Sequence, residues 1–339
     1  MFPYPLHNSR VNDRDRESQE RRLGPLMNSV WLKRECFFWA IGAVFLLASC
    51  APPPPLVIKK AGKIHGLEQS YKPGDIVQLP EGKVISFTKL IDLLGQKELV
   101  FIGEVHTDSD HHLIQTQILQ ALATKWPRLD VAMEFLPVHV QEQVDRFMWG
   151  KSSEEEFLSK INWDEIWGYP FHLYRPLFLV VKRERGKILA INAPPKIVKK
   201  VARKGLSGLR RDERGLIATE IDLSHPMHRQ YLREVFDSHP QEEIKNFEYF
   251  YQAQCVWEDT MAEKIAHWLM ERNGNLVVLT GNGHLLNPYG IPARVIKGKK
   301  VKSAVVVPIH IRSLGRVKPE SADFIWVTGS RFMGIHPKR

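Results

Sequence analysis

The 339-residue chain is poor in cysteine and lacks the short motifs of several large enzyme classes. Its three cysteines form no C-x-x-C pair, which argues against thiol redox chemistry. It has no P-loop and no G-x-G-x-x-G sequence, which argues against nucleotide binding. Neither H-E-x-x-H nor G-x-S-x-G is present, and the absence of the second argues against serine hydrolysis.

The chain also lacks an apolar run of the about 20 residues that a membrane-spanning helix needs. The run from Cys36 to Ala48 is shorter, follows two basic residues and precedes small ones, as in a secretory signal peptide. Residues 1–26 are polar and rich in arginine, so Met27 is the expected start. Leu47-Ala48-Ser49-Cys50 resembles the bacterial lipobox, which predicts cleavage before Cys50 and a lipid on its sulfur.

The predicted anchor implies a place in the bacterial cell envelope. The prolines at 52–55 would form an extended polyproline II tether between the lipid and the domain. Ala51 stands where some bacteria use aspartate to retain lipoproteins at the inner membrane, so the outer membrane, facing the periplasm, is expected. Cys255 would be the one unmodified cysteine left, which predicts no intrachain disulfide and a buried, inert thiol.

The chain is basic, with a formal net charge of +10. A chain that begins at Cys50 carries +8, because residues 1–49 hold seven Lys or Arg and five Asp or Glu. Such a surface could attract anionic ligands or lipid headgroups. No basic stretch interleaved with aromatic residues is present, so nucleic acid is not an expected partner.

Short apolar runs bounded by glycine, proline or polar residues predict buried parallel strands. Such runs alternate with helical patterns, which predicts an α/β fold with a mainly parallel sheet flanked by helices and an inserted helical subdomain. The predicted strands are 100–102, 130–135, 187–194, 276–280, 304–311 and 323–327. The predicted organisation is an N-terminal extension and signal peptide at 1–49, a lipidated tether and lead-in at 50–84, an α/β domain at 85–311 with the helical insertion around 137–272, and a C-terminal strand and tail at 312–339.

Two of these strands end in the same G-x-x-H pattern. Gly103-Glu104-Val105-His106 follows one strand and Gly281-Asn282-Gly283-His284 follows another, while Glu134 lies at the end of a third. The carboxyl ends of parallel strands meet at one edge of a sheet, where ligands bind, so these side chains are expected to lie together. Alternation along an extended chain places Glu104 and His106 on the same side. His112, in the first turn of the next helix, is expected to support this site or to bind a ligand directly.

Several stretches of the chain are similar in order and sequence to one family. They are FIGEVHTDSDHHLIQ, Met133-Glu134-Phe135, Trp163 to Gly168, Tyr174-Arg175-Pro176-Leu177, LAINAPPKIVKKVARKGL, YQAQCVWEDTMAE and LTGNGHLLNPYGIPARV. The chain resembles the ChaN-like haem-binding uptake lipoproteins of the Tiki/TraB superfamily over roughly residues 85–310. The resemblance implies an α/β core, haem or iron acquisition in the cell envelope, and haem bound in a homodimer.

The resemblance does not identify the residue that would hold the haem iron. A tyrosine is a natural ligand for ferric haem, and the candidates are Tyr71, Tyr174, Tyr249 and Tyr251. His106 and His112 are histidine candidates. Gln254 and Trp257 share one helical face with Glu258 and are expected to look into the pocket.

Two other functions remain open from the sequence. In the wider superfamily, paired G-x-x-H motifs and nearby glutamates form the active sites of proposed metal-dependent proteases and of esterases. Those roles would fall on Glu104, His106, Glu134 and His284, with Glu104, His106 and His284 holding a divalent metal and a glutamate acting as general base. The remaining alternative is an inert envelope protein that keeps the pocket as scaffold.

Overall fold

The computed structural model describes residues 61–238, 244–271, 274–286, 289–297 and 300–329. The predicted signal peptide, Met27, Cys50 and the proline tether lie outside these residues. None of the helices within the described ranges is long and apolar enough to cross a membrane.

The described ranges fold into short strands and helices that alternate along the chain. The strands are β1 (Gly62–Lys63), β2 (Ser70–Tyr71), β3 (Ile76–Gln78), β4 (Lys83–Ile85), β5 (Leu99–Glu104), β6 (Asp130–Pro137), β7 (Ile188–Asn192), β8 (Leu276–Gly281), β9 (Ser303–His310) and β10 (Phe324–Thr328). The α-helices are α1 (Phe87–Leu94), α2 (Ser109–Leu122), α3 (Gln141–Met148), α4 (Glu154–Ile161), α5 (Trp163–Ile166), α6 (Phe171–Arg183), α7 (Pro195–Lys204), α8 (Arg211–Arg214), α9 (Pro226–Ser238), α10 (Phe247–Glu271) and α11 (Ile291–Ile296). Short 3-10 helices occupy Val138–Val140, Leu206–Gly208, Asn282–His284 and Ile311–Arg316.

Eight of the strands form one sheet in the order β4-β3-β10-β9-β5-β8-β6-β7. All pairs from β10 to β7 are parallel, and β3 and β4 are added at one edge as antiparallel strands. β1 and β2 form a separate antiparallel pair. The predicted α/β fold with a mainly parallel sheet is confirmed.

The three strands that carry the predicted site are buried along their whole length. Every residue of β5, β6 and β8 is buried, as expected for strands with helices on both faces of the sheet. β8 lies between β5 and β6, and its last residue, Gly281, pairs with Glu104, the last residue of β5. Glu134 directly follows Met133, where the pairing of β6 with β8 ends and its register with β7 shifts. The sheet therefore brings the three strand ends to one edge.

The helices that were predicted as one insertion around 137–272 form two groups. Helices α3 to α6 lie between β6 and β7, and helices α7 to α10 lie between β7 and β8. β7, which occupies the edge of the sheet, separates the two groups. The region predicted as lead-in also contributes to the sheet through β3 and β4, and the strand predicted at 323–327 is present as β10.

Candidate functional site

The two glycine-histidine motifs pack directly against each other, because β5 and β8 are neighbouring parallel strands. A Cβ atom added to Gly103 would lie 2.0 Å from Oδ1 of Asn282 in the second motif. A Cβ atom added to Gly281 would lie 2.9 Å from Cε1 of His106 in the first motif. Each glycine therefore makes room for a residue of the other motif, and both positions need glycine because the space is taken.

The Glu104 carboxylate is buried between two imidazoles. Its Oε1 lies 2.7 Å from Nδ1 of His106, and its Oε2 lies 3.0 Å from Nδ1 of His112. Burial alone would raise the pKa of Glu104, but the charge and hydrogen bonds of the two histidines outweigh it and hold the pKa below its usual range. Glu104 is therefore ionised; it accepts a hydrogen bond from His106 and forms an ion pair with His112.

His112 and Tyr174 complete the surroundings of Glu104. Nδ1 of His112 faces Glu104, and its Nε2 lies 3.1 Å from the backbone oxygen of His106, so both ring nitrogens face acceptors. Burial opposes the charged form, yet the charge of Glu104 and the contact with it raise the pKa of His112, so Glu104 stabilises the cationic form of this buried histidine. The Tyr174 hydroxyl donates to Oε1 of Glu104 and to the same backbone oxygen, at 3.3 Å each.

His111 precedes His112 in α2, but its pKa is lowered where that of His112 is raised. Its Nδ1 accepts a hydrogen bond from the backbone N–H of Val105 at 2.9 Å. Burial lowers the pKa of His111 to about 4, so the ring is neutral and carries its proton on Nε2. This Nε2 lies 3.2 Å from Oγ1 of Thr328 at the end of β10. His111 thus fixes the backbone between Glu104 and His106.

The two ring nitrogens of His106 have different surroundings. Because Glu104 is ionised, Nδ1 of His106 donates to it, which leaves Nε2 as an acceptor. Nε2 lies beside Gly281 and makes no hydrogen bond or ion pair to another side chain within the described ranges. The side chain is 12% exposed and packs against Trp167 and Tyr169, with ring centroids 4.8 and 5.1 Å from its own. Nε2 of His106 can therefore serve as a ligand atom or as a base.

Glu134 occupies the middle of the sheet edge. Its Oε2 accepts hydrogen bonds from the Thr280 hydroxyl at 2.5 Å and from the Gly281 backbone N–H at 2.6 Å, while its Oε1 lies 3.5 Å from Nε2 of His284. Burial would raise the pKa of Glu134, but His284 and the hydrogen bonds lower it to about 2. Glu134 is therefore an ionised partner of His284.

His284 lies between two carboxylates. Its Nε2 faces Glu134, and its Nδ1 lies 3.5 Å from Oε1 of Glu258 on α10. Burial opposes the charged form, but the two carboxylates raise the pKa of His284 to about 10. His284 is therefore a cation with both nitrogens occupied, unlike His106.

The sequence did not predict the side chains that pair with the buried carboxylate of Glu258. Arg294 and His228 each place a nitrogen 3.2 Å from Oε2 of Glu258, and Arg294 also pairs with Asp259. Burial raises the pKa of Glu258, but the histidines and Arg294 bring it down to about 2, whereas burial raises the pKa of Asp259 to about 6. The contact of Arg294 with Glu258 could not be predicted from the sequence, because it depends on the packing of α11 against α10. Thr280 could have been noticed as the polar residue that ends an apolar strand.

The other predicted ligand residues lie apart from His106. The hydroxyl of Tyr71 donates to the backbone oxygen of Gly82 at 2.9 Å, far along the chain from the motifs. The hydroxyl of Tyr251 donates to the backbone oxygen of Leu223 at 3.2 Å. Tyr249 is half-buried against Gly205, and on the same helix Gln254 is half-buried and Trp257 is buried. Of the face predicted on α10, Glu258 is the residue that reaches the histidines.

The predicted metal ligands are engaged in other contacts. Across the residues that the structure describes, no group of three or more His, Cys, Asp or Glu side chains is arranged to hold a metal ion. Both oxygens of Glu104 face imidazole nitrogens, and both nitrogens of His284 face carboxylates. A metal held jointly by Glu104, His106 and His284 therefore stays a prediction, because these residues are not arranged as a preformed metal site in the described ranges.

The fold and the paired motifs define a known class of protein. Residues 90–295 match the family described as haem-binding uptake, Tiki superfamily, ChaN. Because this match covers more than half of the chain, the chain belongs to that family.

The chain is similar to three known proteins to different degrees. The chain resembles the structure of ChaN from Campylobacter jejuni, which is described as binding haem cofacially, with 20% identity, coverage of 74% of this chain and 95% of that chain, and a TM-score of 0.59. It is 25% identical over 264 residues to the chloroplastic protein RETICULATA-RELATED 5 of Arabidopsis thaliana, covering 69% of this chain and 34% of that protein. The chain thus spans about one third of the length of this curated relative. An erythromycin esterase, EreC, is 10% identical, with coverage of 69% and 77% and a TM-score of 0.41.

Proposed function

We propose that this protein binds haem at the sheet edge that carries His106 and acts in haem or iron uptake in the bacterial cell envelope. Membership of the haem-binding uptake family supports the ligand class. The observation that carries the proposal for this chain is that Nδ1 of His106 is held by an ionised carboxylate, while its Nε2 makes no hydrogen bond or ion pair to another side chain of the described residues.

The residues at this edge fit a haem iron. A histidine whose second nitrogen donates to a carboxylate is oriented and made more basic as a metal ligand, and neutral imidazole nitrogen is a common axial ligand of haem. When bound, haem would supply an iron that accepts this nitrogen. Trp167 and Tyr169 pack against the imidazole; Trp167 is buried, and the half-buried Tyr169 offers aromatic surface for a flat, apolar ring system.

The tyrosine candidates fit the role of ligand less well. Burial and the charge of Glu104 raise the pKa of Tyr174 well above its usual value, and burial likewise raises the pKa values of Tyr71 and Tyr251. Phenolate is the form that binds ferric iron, and each of these hydroxyls already donates to an acceptor within the protein. We therefore assign the iron to His106, with Tyr174 and His112 holding Glu104 in place.

A haemin titration followed by absorption spectroscopy tests this assignment. We expect saturable binding with an imidazole-type spectrum, weakened at least about tenfold in His106→Ala, since a metal ligand or its partner typically contributes 10- to 100-fold. His172→Ala, which alters an exposed histidine at the start of α6, is the matched control and should bind haemin as the unaltered chain does. The assignment would be contradicted if the unaltered chain gave a tyrosinate-type spectrum, Tyr174→Phe lost haemin binding and His106→Ala kept it.

The proposal includes the cell-envelope anchor and a dimer. The signal sequence and the lipobox-like residues before Cys50 support a lipoprotein of the outer membrane that faces the periplasm. Labelled palmitate should enter the protein and be lost in Cys50→Ser, and the labelled protein should fractionate with the outer membrane.

Light scattering with and without haemin tests whether haem holds two copies together; an unchanged mass would contradict the dimer.

A hydrolase is the second candidate, because Nε2 of His106 could also take a proton from water. The ionised Glu104 on Nδ1 would stabilise the imidazolium that forms. Hydrolysis of a p-nitrophenyl ester that is lost in His106→Ala and kept in His172→Ala would support this reading, and elemental analysis would show whether a divalent metal takes part. If the unaltered chain hydrolyses the ester no faster than His106→Ala does, the hydrolase function is excluded.

A further inference from the structure

A cavity of about 310 Å³ lies away from the edge that holds the histidines. It is bounded by β7 at the edge of the sheet, by the start of α3 and by the last turns of α10. Trp268 in its wall follows Glu258 by ten positions on α10, which places the cavity about 15 Å along the helix from that carboxylate. The cavity is therefore separate from the proposed haem site.

One wall of the cavity is held rigidly by Gln141. The side-chain amide of Gln141 donates to the backbone oxygen of Ile188 at 2.9 Å and accepts from the backbone N–H of Ala190 at 2.7 Å. It also donates to Asp145 at 2.8 Å. Gln141 thus bonds to the edge of β7 as a neighbouring strand would, and the cavity wall is formed before any ligand arrives.

The lining combines apolar surface with positive charge. Trp268 is buried and Leu189 is half-buried, while Lys187 and Lys264 are half-buried with no ion pair to any described carboxylate. Glu271, the carboxylate in the lining, is exposed and pairs with neither lysine. The two ammonium groups therefore lie at the cavity without a counter-charge from the described residues, and their aliphatic stems cover part of its wall. An anionic group in the cavity would supply that charge.

We propose that this cavity binds a small aromatic carboxylate, with its ring against Trp268 and Leu189 and its carboxylate at Lys187 and Lys264. The volume lies at the lower end of the range of small-molecule pockets, about 300–1,000 Å³, which suits a ligand of one ring. The site is independent of haem binding, because none of its lining residues contacts Glu104, His106 or Glu134.

The test compares benzoate with benzamide, which has nearly the same shape and no charge. Chemical-shift titrations of the full chain should show saturable benzoate binding with a Kd of about 1 mM, as expected for so few heavy atoms. Benzamide should bind about tenfold more weakly, because it lacks the charge that the lysines attract. Lys187→Met and Lys264→Met should each weaken benzoate binding about fivefold, in line with the loss of one charge contact. Lys89→Met, at an exposed lysine of α1, is the matched control and should change nothing.

Two further variants test whether benzoate binds in this cavity and apart from His106. Leu189→Trp should fill the cavity and abolish benzoate binding while circular dichroism remains that of the folded chain. His106→Ala should leave benzoate binding unchanged. Equal affinity for benzoate and benzamide, no effect of either lysine variant, no saturable binding, or loss of binding in His106→Ala would each overturn the proposal.

Discussion

The two halves of the sheet edge begin with the same sequence pattern and end with different chemistry. In the half built on β5, His106 donates through Nδ1 to Glu104, and its Nε2 makes no hydrogen bond or ion pair to another described side chain. In the half built on β8, His284 faces a carboxylate with each nitrogen, and its pKa rises to about 10. The first histidine is therefore able to bind or react, while the second is a fixed positive charge. A repeated G-x-x-H motif thus does not imply two equivalent ligands.

The difference between the halves comes from the neighbours of each histidine. Beyond Glu104, His106 packs against Trp167 and Tyr169 and lies near enough to Glu134 for an electrostatic interaction, with no ion pair between the two in the described residues. The partner of His284 on its second side is Glu258, delivered by α10. Each half therefore has a distinct role, and substitutions should separate ligand binding from stability.

The largest effect is expected at Glu258. Glu258→Ala leaves His284, His228 and Arg294 without their shared buried carboxylate, and breaking a buried ion pair costs about 3–5 kcal/mol. Denaturant unfolding measures the change. The control is Glu156→Ala, which removes an exposed partner of Lys160 and should leave the unfolding midpoint unchanged. A midpoint for Glu258→Ala that equals the control would contradict a structural role for this half.

The next effect tests the contact between the two halves. Gly281→Ala places a methyl group 2.9 Å from Cε1 of His106, so the imidazole must move or the strands must part. We expect haemin to bind about tenfold more weakly and the free energy of unfolding to fall by about 1–3 kcal/mol, as for other overpacked sites. Gly283→Ala is the matched control, because nothing lies within 4 Å of the added atom. Equal behaviour of the two variants would show that His106 does not depend on this space.

The pH dependence of stability should report the charge of His284. Its pKa is raised from 6.5 to about 10, so its contribution is fully present below the unfolded value and is lost as the pH rises through 10. The free energy of unfolding should therefore fall between pH 7 and 10, by at most about 1.4 kcal/mol per pH unit for one proton. His284→Gln should show a shallower fall over the same interval. A slope that stays the same in the variant would mean that other groups cause it.

The smallest effect is expected at the contact between His111 and Thr328. Thr328→Val keeps the shape of the side chain but removes the oxygen 3.2 Å from Nε2 of His111. The loss of one hydrogen bond should lower the free energy of unfolding by about 1 kcal/mol, with haemin affinity unchanged. Haemin affinity that falls as far as in Gly281→Ala would mean that His111 belongs to the binding site.

The sequence predicted the parts of this edge that depend on local pattern. Continuous apolar runs ending in glycine predict the strands β5 and β8, and parallel pairing brings Glu104, Glu134 and the two motifs to one edge. The roles of the histidines were not predictable, because they depend on which acceptors face each nitrogen in three dimensions. His228 and Arg294 belong to separate helices and meet at Glu258 through packing alone. The reciprocal need for Gly103 and Gly281 likewise appears once the strands are in register.

The most direct test of the difference between the two motifs is ¹⁵N NMR of the imidazole rings between pH 6 and 8. We expect His284 to carry protons on both nitrogens throughout this range, and the neutral form of His106 to carry its proton on Nδ1 with Nε2 bare. A neutral His284 at pH 7, or a neutral His106 protonated on Nε2, would contradict the assignment of one histidine to the ligand and the other to fixed charge.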